Sequence, residues 1–265
     1  MQRRSRTRTI KSKDWLMKLR DVAYDADDVL SDFSTEDLRR RVMWTVKASS
    51  SKHCGGLAEL NKLNNLRGEL CIKNLAWVTD ATSEAKAANL KEKCHLRSLE
   101  LRWDSEDNNG TYVDENLLEG LQPHHTLKKL NVKGYRGVNF PSWLPSMTSL
   151  AELKIWECPR LKSLPRFMQH LTSLKTLNIG KCKELDLFSE ESDDGTQCVT
   201  TLQELGISVD HCLITLPKWI GNVTPLQSLQ IYECPNLTSL PEGIGNLTSL
   251  QSLLISELPQ SDLTS

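Results

Sequence analysis

The sequence predicts an α/β solenoid, in which short strands stack side by side into a parallel sheet, preceded by a short helical hairpin. The first observation is a frame of apolar residues, Leu-x-x-Leu-x-Ile, which runs from Leu226 to Ile231 and again from Leu250 to Ile255. The second is its spacing, because successive frames begin at steps of 24, 28, 24 and 24 residues. The third is a cysteine at one fixed place after three of the frames. Together these features form a leucine-rich repeat, whose period is about 20–29 residues.

Each frame is predicted to form one short strand. Leu229 and Ile231 alternate with Gln230, so the two apolar side chains point to one face of the strand. A single strand cannot bury that face, but stacked repeats build a continuous core. We therefore expect about eight repeats over residues 57–265, with the strands on the concave face. The predicted strand centres are Leu70–Ile72, Leu99–Leu101, Leu130–Val132, Leu153–Ile155, Leu177–Ile179, Leu205–Ile207, Leu229–Ile231 and Leu253–Ile255.

Residues 14–48 precede the repeats and are predicted to be helical. From Asp14 to Phe33 apolar residues recur at spacings of three and four, which is typical of a coiled-coil seam. Ser34 to Asp37 interrupt this pattern and resemble a helix cap. The second helix of the hairpin is predicted to run through Leu38, Val42, Met43 and Val46.

Two short segments flank the helical region. Residues 1–13 contain six basic and no acidic residues, and we expect a basic, disordered tail. A weak nuclear-import patch and an Arg-rich organelle transit segment are the alternatives. Residues 49–56 are expected to be a linker.

Composition limits the classes of function. The chain has 265 residues, 38% hydrophobic residues and a net charge of −1, which is typical of a soluble globular protein. Near-zero net charge argues against a dedicated nucleic-acid binder, and no stretch is long and apolar enough for a membrane span. The eight cysteines contain no Cys-x-x-Cys pair, so we expect free, mostly buried thiols and a reducing compartment.

Motifs of catalysis are not found in the sequence. It has neither Gly-x-Ser-x-Gly nor His-Glu-x-x-His, and the pair His124-His125 has no partner at a spacing that suits a metal ligand. The phosphate-binding pattern Gly-x-x-x-x-Gly-Lys-Ser/Thr is also missing, so we expect no cofactor and no nucleotide. Binding is therefore favoured over turnover.

Four stretches resemble one family of proteins. Trp15–Leu30, which includes Asp25-Ala-Asp-Asp-Val-Leu, is similar to the coiled-coil amino-terminal domain of plant intracellular disease-resistance receptors, and the Asp-rich part occupies the place of their acidic motif. Gly55–Leu70, Leu118–His125 and Gly137–Trp143 resemble the leucine-rich region of the same receptors. The chain departs from the family between these parts, where Lys47–Cys54 stands in place of a nucleotide-binding switch domain.

The resemblance implies a non-catalytic protein-recognition or regulatory module in plant defence. Its expected partners are a pathogen effector, a guarded host protein or a full-length receptor, and its expected location is the cytoplasm, with the nucleus as an alternative. Two other interpretations stay open, an inactive truncated gene product and a leucine-rich-repeat adaptor of an enzyme complex.

Candidate site residues follow from the repeat frame. Side chains that flank the buried strand positions should face the concave surface, which places Arg102, Lys133, Trp156 and Tyr232 in one column and Lys154 in the next. Trp156 and Tyr232 are either binding hot spots or packing residues that lie along their neighbours.

Charge suggests a contact within the chain. Lysines make the early concave surface basic, namely Lys128, Lys129, Lys133 and Lys154. The acidic motif, Asp25, Asp27 and Asp28, is expected to dock onto the chain's own repeats, as the resemblance also implies. Self-association is a further possibility, because the apolar Leu253 and Ile255 lie in the last frame.

Overall fold

The computed structural model describes residues 7–10, 43–47, 57–104, 111–162, 170–185, 187, 201–208, 215–240 and 242–256. The chain forms two compact units, which meet in the sequence between Leu127 and Lys128. No helix in these described ranges is both long and apolar enough to span a bilayer.

The first unit carries four parallel strands among its described residues. Each strand pairs with the next one along the chain, so the order in space is the order in sequence. This arrangement is typical of stacked repeats, which contact only their neighbours. The strands are β1 (Thr7–Ile10), β2 (Met43–Lys47), β3 (Gly68–Lys73) and β4 (Leu96–Arg102).

The first unit also has two helices. In the sequence, α1 (Ala81–Ala88) lies between β3 and β4, and α2 (Thr111–Gly120) follows β4. The carboxylate of Asp80 caps α1, since it accepts a hydrogen bond from the Ser83 amide at 3.1 Å. Alanines at spacings of four and three form the buried side of α1, which contacts both α2 and a 3-10 helix over Leu57–Lys62. Further 3-10 turns occur at Leu75–Trp77 and Leu90–Glu92.

The second unit carries six parallel strands among its described residues, again in sequence order and paired residue for residue. Each is five residues long, with positions two and four buried in all but the last strand. The strands are β5 (Lys129–Lys133), β6 (Glu152–Trp156), β7 (Thr176–Gly180), β8 (Glu204–Ser208), β9 (Ser228–Tyr232) and β10 (Ser252–Ser256). Turns of 3-10 helix follow β5, β8 and β9, at Leu144–Ser146, Lys218–Asn222 and Glu242–Asn246.

The eight predicted strand centres are confirmed. Each predicted pair of apolar residues lies within one of β3 to β10, and the pairs from β3 to β9 are buried. The helices α1 and α2 lie in the long early repeats, in the 29-residue and 31-residue steps between the strand centres at Leu70, Leu99 and Leu130.

Two expectations near the amino terminus are wrong. Thr7–Ile10 is a strand, although residues 1–13 were expected to be a disordered tail. Met43–Lys47 is also a strand, where a second helix through Val42, Met43 and Val46 was predicted. Aromatic and β-branched residues in Met43–Lys47 favour an extended chain, and pairing with β3 satisfies the backbone there. The predicted helix Asp14–Phe33 lies outside the described residues.

Lys93 is a fully buried lysine in the first unit. Its Nζ donates hydrogen bonds to the carbonyl oxygens of Leu60 at 2.6 Å and Leu63 at 3.2 Å, and to the side-chain oxygen of Asn64 at 3.4 Å. These oxygens lie at the carboxyl end of the 3-10 helix Leu57–Lys62, where a cation is favoured. Because burial removes the ammonium group from water, the pKa of Lys93 falls from 10.5 to about 8.

We predict that Lys93→Met abolishes a rise of stability with pH. The unfolded lysine keeps its proton up to its pKa of 10.5, whereas the folded lysine loses it near 8. Between these values the unfolded state binds more protons, so the free energy of unfolding of the parent protein increases with pH. Relative to Lys93→Met, the parent should gain about 1 kcal/mol from pH 8 to pH 9. Urea unfolding of both proteins at the two pH values measures this difference, and a parallel response would assign the titration to another group.

The thiol of Cys71 limits, at about pH 9, the pH range over which the effect of Lys93 on stability stands alone. Burial, together with the nearby Glu100 carboxylate, raises the pKa of Cys71 from 9.0 to about 12. Above pH 9 the unfolded state therefore loses this proton first, which lowers stability as pH rises and opposes the effect of Lys93. Comparison of the parent with Lys93→Met separates the two effects, because both proteins retain Cys71.

Candidate protein-recognition face

One face of the six-strand sheet in the second unit carries the candidate site. At strand positions one, three and five the side chains point away from the core, and most of them are partly or fully exposed. We call this surface the strand face. Its three rows follow from the register. The first row is Lys129, Glu152, Thr176, Glu204, Ser228 and Ser252; the middle row is Asn131, Lys154, Asn178, Gly206, Gln230 and Leu254; the last row is Lys133, Trp156, Gly180, Ser208, Tyr232 and Ser256.

The structure brings most of the predicted site residues together. Lys133, Trp156 and Tyr232 lie in the last row, and Lys154 lies in the middle row, two residues before Trp156 on the same face of β6. Arg102 ends β4 in the first unit, where its guanidinium pairs with Asp104 at 3.1 Å. The acidic motif, Asp25, Asp27 and Asp28, lies outside the described residues, so its docking stays a prediction.

The indole of Trp156 lies across the neighbouring strand, directly over Gly180. A Cβ atom built on Gly180 would come within 2.2 Å of the Trp156 ring, so any larger residue there would displace the indole. Trp156 nevertheless stays partly exposed. The packing role expected for Trp156 is therefore present, and the part of the ring that stays exposed leaves its role as a binding hot spot a prediction.

A second glycine has the same relation to the middle row. A Cβ atom on Gly206 would lie 2.3 Å from the Asn178 side-chain oxygen, so the amide of Asn178 lies across β8. Side chains from β6 and β7 thus lie over glycines of the next strand. Because Gly180 on β7 and Gly206 on β8 carry no side chain, the surface of the strand face is recessed at these two strands.

The lysines of the strand face are paired with two glutamates. Glu152 forms ion pairs with Lys129 and, at 3.2 Å, with Lys154. Glu157 follows β6 and pairs with Lys133 at 3.2 Å and, at 3.5 Å, with Lys181. We call these six residues the lysine–glutamate cluster: Lys129, Lys133, Lys154, Lys181, Glu152 and Glu157. Four lysines share two glutamates, which leaves two positive charges uncompensated within the cluster.

Both glutamates are ionised more readily than an isolated carboxylic acid. Partial burial alone would raise the pKa of Glu152, but hydrogen bonds from Lys129 and Lys154 outweigh burial and hold the pKa below its usual value. In Glu157 burial likewise raises the pKa, and Lys133 and Lys181 more than compensate. The early surface, predicted to be basic, therefore also contains two acids that the pattern of lysines did not indicate. Glu152 could have been found, because it shares the face of Lys154.

At the other end of the strand face, β9 carries a chain of uncharged hydrogen bonds. The Tyr232 hydroxyl donates to the Gln230 side-chain oxygen at 3.2 Å, and the Gln230 amide donates to the Ser228 hydroxyl at 3.3 Å. These three side chains occupy alternate positions of one strand and remain partly exposed. The strand face therefore has a basic half at β5 to β7 and an uncharged, hydrogen-bonding region at β9.

A repeated turn fixes the residues that border the last row. Glu157, Lys181 and Glu233 each follow a strand and have left-handed backbones, with φ of 55°, 55° and 51°. The next residue is a cysteine in each case, and its thiol donates to the carbonyl at the end of the strand. The sulfur–oxygen distances are 3.4 Å for Cys158 to Trp156, 3.3 Å for Cys182 to Gly180 and 3.3 Å for Cys234 to Tyr232.

The cysteines of these turns are structural. Cys158, Cys182 and Cys234 are free and buried, as is Cys71 in the first unit, whereas Cys94 is free and exposed. Burial and the adjacent Cys182 raise the pKa of Cys158 above its usual value, which disfavours the reactive thiolate. The expectation of free, mostly buried thiols is confirmed for these five.

Metal ligation finds no support in the described part of the chain, where no group of three or more His, Cys, Asp or Glu side chains could hold an ion. The rings of His124 and His125 lie 4.1 Å apart, and Nδ1 of His124 is 2.8 Å from the Thr126 hydroxyl. Burial and the neighbouring His125 lower the pKa of His124, although the nearby Glu92 opposes them.

Two protein families match the sequence. The Rx N-terminal domain matches residues 2–67, and the family described as R13L1/DRL21 LRRs matches residues 57–182. The two ranges overlap at residues 57–67, so no further domain lies between them in this chain.

Solved structures with similar folds are leucine-rich-repeat proteins. The leucine-rich repeat domain of the type III effector XopL has a TM-score of 0.53 at 18% identity, over 92% of this chain and 84% of that domain. TLR13, solved in complex with ssRNA13, has a TM-score of 0.55 at 20% identity, over 82% of this chain and 28% of that chain. At such low identity these likenesses show the fold alone.

Curated relatives are plant disease-resistance proteins. The disease resistance RPP13-like protein 1 of Arabidopsis thaliana is 36% identical over 133 residues, which are 46% of this chain and 12% of that protein. RGA1 of Solanum bulbocastanum is 37% identical over 125 residues, again 46% of this chain and 12% of the relative. The chain thus spans about an eighth of these relatives. By these matches the chain is similar to an Rx N-terminal domain over residues 2–67 and to the R13L1/DRL21 leucine-rich repeats over residues 57–182, and the relatives with which it shares these percentages are plant disease-resistance proteins.

Proposed function

We propose that this protein is a non-catalytic recognition or regulatory module of plant defence, and that it binds protein partners through the strand face. The observation that carries the proposal is the composition of that face. Six adjacent strands present polar side chains together with the partly exposed Trp156 and Tyr232, and residues of these two types are enriched in binding hot spots.

The classes of partner follow from the relatives. A pathogen effector, a guarded host protein or a full-length receptor would each present a protein surface, and the protein would meet them inside the cell, in the cytoplasm or the nucleus. Nucleic acid is a poorer fit, since the net charge of the chain is −1 and a nucleic-acid binder usually carries a positive excess. The acidic motif, Asp25, Asp27 and Asp28, is proposed to regulate the protein by docking onto its own repeats.

Self-association is the second contact that we propose. Leu253, Leu254 and Ile255 of β10 are 45%, 44% and 43% exposed, and in the described residues β10 pairs only with β9. Apolar side chains on such a strand favour contact with another chain. Sedimentation of this 265-residue chain should therefore show a concentration-dependent increase in mass, and Leu254→Lys should abolish it.

The proposed function is tested by expression in leaf tissue that is challenged with a pathogen. We expect the parent chain to change pathogen growth relative to an empty vector, and Trp156→Ala with Tyr232→Ala to remove that change at equal protein abundance. Lys218→Ala, in a 3-10 helix outside the sheet, is the control and should behave like the parent. An effect that survives the double substitution would contradict recognition through this face. No effect of the parent, despite normal abundance, would favour an inactive gene product.

A further inference from the structure

Three lysines of the lysine–glutamate cluster neighbour Trp156 in the sheet or in the chain. Lys154 lies two residues before Trp156 on β6, and Lys133 is its register partner on β5. Lys181 follows Gly180, the residue on which the indole lies. Neighbouring strands are about 4.8 Å apart, so the residues that carry these three ammonium groups flank Trp156 on its own strand and on the strands at either side.

The two glutamates of the cluster hold the lysines but do not neutralise them. Glu157 accepts from Lys133 at 3.2 Å and, at 3.5 Å, from Lys181 on the other side of Trp156. One carboxylate between two ammonium groups leaves an excess of one positive charge, and Glu152 with Lys129 and Lys154 repeats this arrangement. The side chains of Lys129, Lys154 and Lys181 are 45–47% exposed, so an incoming anion can reach them.

The position of Glu157 is fixed by the backbone. It occupies the left-handed turn after β6, and its amide donates to the Gly180 carbonyl at 2.9 Å. Its carboxylate is therefore a built-in competitor for any anion that approaches Lys133 or Lys181. An anion that binds these lysines must replace their ion pairs with Glu157. A single carboxylate gains little by this exchange, because exposed ion pairs in water are weak. An adjoining apolar side chain that packs on Trp156 would supply the additional stabilisation.

We propose that this surface recognises a polypeptide segment in which an acidic residue stands beside a large apolar residue. The carboxylate pairs with the surplus charge of the lysines, and the apolar side chain packs on the exposed part of the Trp156 ring. Glu157 weakens the binding of every anion, so that only a segment with the additional apolar contact to Trp156 binds firmly. This inference rests on the proposed function and names the class of partner for the basic half of the strand face.

The test uses the full chain and a fluorescein-labelled synthetic peptide of alternating Glu and Leu, with analogues in which Gln replaces Glu or Ser replaces Leu. Fluorescence anisotropy should show that the Glu-Leu peptide binds, that binding weakens with salt, and that both analogues bind at least about threefold more weakly. Trp156→Ala should weaken binding of the Glu-Leu peptide by about tenfold and Lys133→Gln by about threefold.

Glu157→Gln provides the decisive result, because it is expected to tighten binding of the Glu-Leu peptide by about threefold, which an unfolded or damaged protein could not do. The matched control is Glu233→Gln. Glu233 has the place in its repeat that Glu157 has in another, with the same left-handed backbone, and the two substitutions change the net charge by the same amount. Unlike Glu157, Glu233 lies outside the lysine–glutamate cluster, and it follows the uncharged Tyr232. The control substitution should leave the affinity unchanged.

Three outcomes would overturn the inference. Equal tightening by Glu157→Gln and Glu233→Gln would show that only net charge matters. Equal affinity for the Glu-Leu and Glu-Ser peptides would remove the role of Trp156. Tighter binding of single-stranded polyuridylate than of the peptide would assign the surface to nucleic acid. The proposed function fails separately, since it depends on the leaf assay with Trp156 and Tyr232 rather than on this peptide.

Discussion

Leu229→Ala is expected to lower the free energy of unfolding of this protein by about 3 kcal/mol. Leu229 is fully buried in β9, where the register places it between Leu205 of β8 and Leu253 of β10. Removal of its side chain loses apolar burial and leaves a cavity that neighbouring strands cannot close without breaking their hydrogen bonds. Because each repeat is stabilised by its neighbours, the loss should extend to the packing of β8 and β10.

Leu253→Ala is the matched control, since Leu253 holds the same position of the repeat frame in β10. Its side chain is 45% exposed, so the same truncation should cost less than about 1 kcal/mol. Urea unfolding followed by circular dichroism measures both variants against the parent. Similar losses in the two variants would contradict the burial that distinguishes β9 from β10.

Gly221→Ala should destabilise the protein by about 2 kcal/mol, because it places a methyl group against backbone. A Cβ atom on Gly221 would lie 2.8 Å from three backbone atoms of Gly243. Gly221 belongs to the 3-10 helix Lys218–Asn222, and Gly243 to the 3-10 helix Glu242–Asn246 of the next repeat. Both helices would have to move apart, which also disturbs the pairing of β9 with β10.

Gly245→Ala is the control for this effect. Gly245 has the place in its 3-10 helix that Gly221 has in the preceding one, but no described heavy atom lies within 4 Å of a Cβ atom built there. We expect a change of less than about 0.5 kcal/mol. Thermal unfolding of both variants under one condition makes the comparison. A loss for Gly245→Ala as large as that for Gly221→Ala would show that alanine is disfavoured by the 3-10 backbone itself.

The strands of the repeats could be predicted from sequence for a simple physical reason. The residues Leu153 and Ile155 both point to the core, and a pair of apolar residues two positions apart has this effect only in a strand. The same frame recurs, so a register in which like residues pair buries the frame Leu and Ile of neighbouring strands together from β5 to β9. The rows of the strand face follow directly from that register.

The details of the candidate site were harder to predict, because they depend on residues from different repeats. The contact of Trp156 with Gly180 requires both the register and the direction in which the indole turns. Glu157 joins the lysine cluster only because its backbone is left-handed, which the sequence Trp-Glu-Cys does not reveal. The repeat frame placed Trp156 and Lys133 on one face. It did not indicate the carboxylates that neutralise part of the positive charge of the lysines on that face.

The amino-terminal strands show where a local pattern misled the prediction. Leu38, Val42 and Val46 have helical spacing, yet Met43–Lys47 forms β2. The edge of β3 offers unpaired backbone groups, and pairing with them outweighs a weak helical periodicity. Thr45 and Val46 of this strand are buried, so it contributes to the core as well as to the sheet.

Photo-crosslinking tests most directly whether the protein recognises partners through the strand face. Benzoylphenylalanine is introduced at Ser208, in the last row between Gly180 and Tyr232, and separately at the exposed Asn222 in a 3-10 helix outside the sheet. In challenged leaf tissue the account predicts protein adducts from position 208 that Trp156→Ala reduces, and few adducts from position 222. Adducts of equal yield from both positions, or adducts from position 208 that are indifferent to Trp156→Ala, would contradict it.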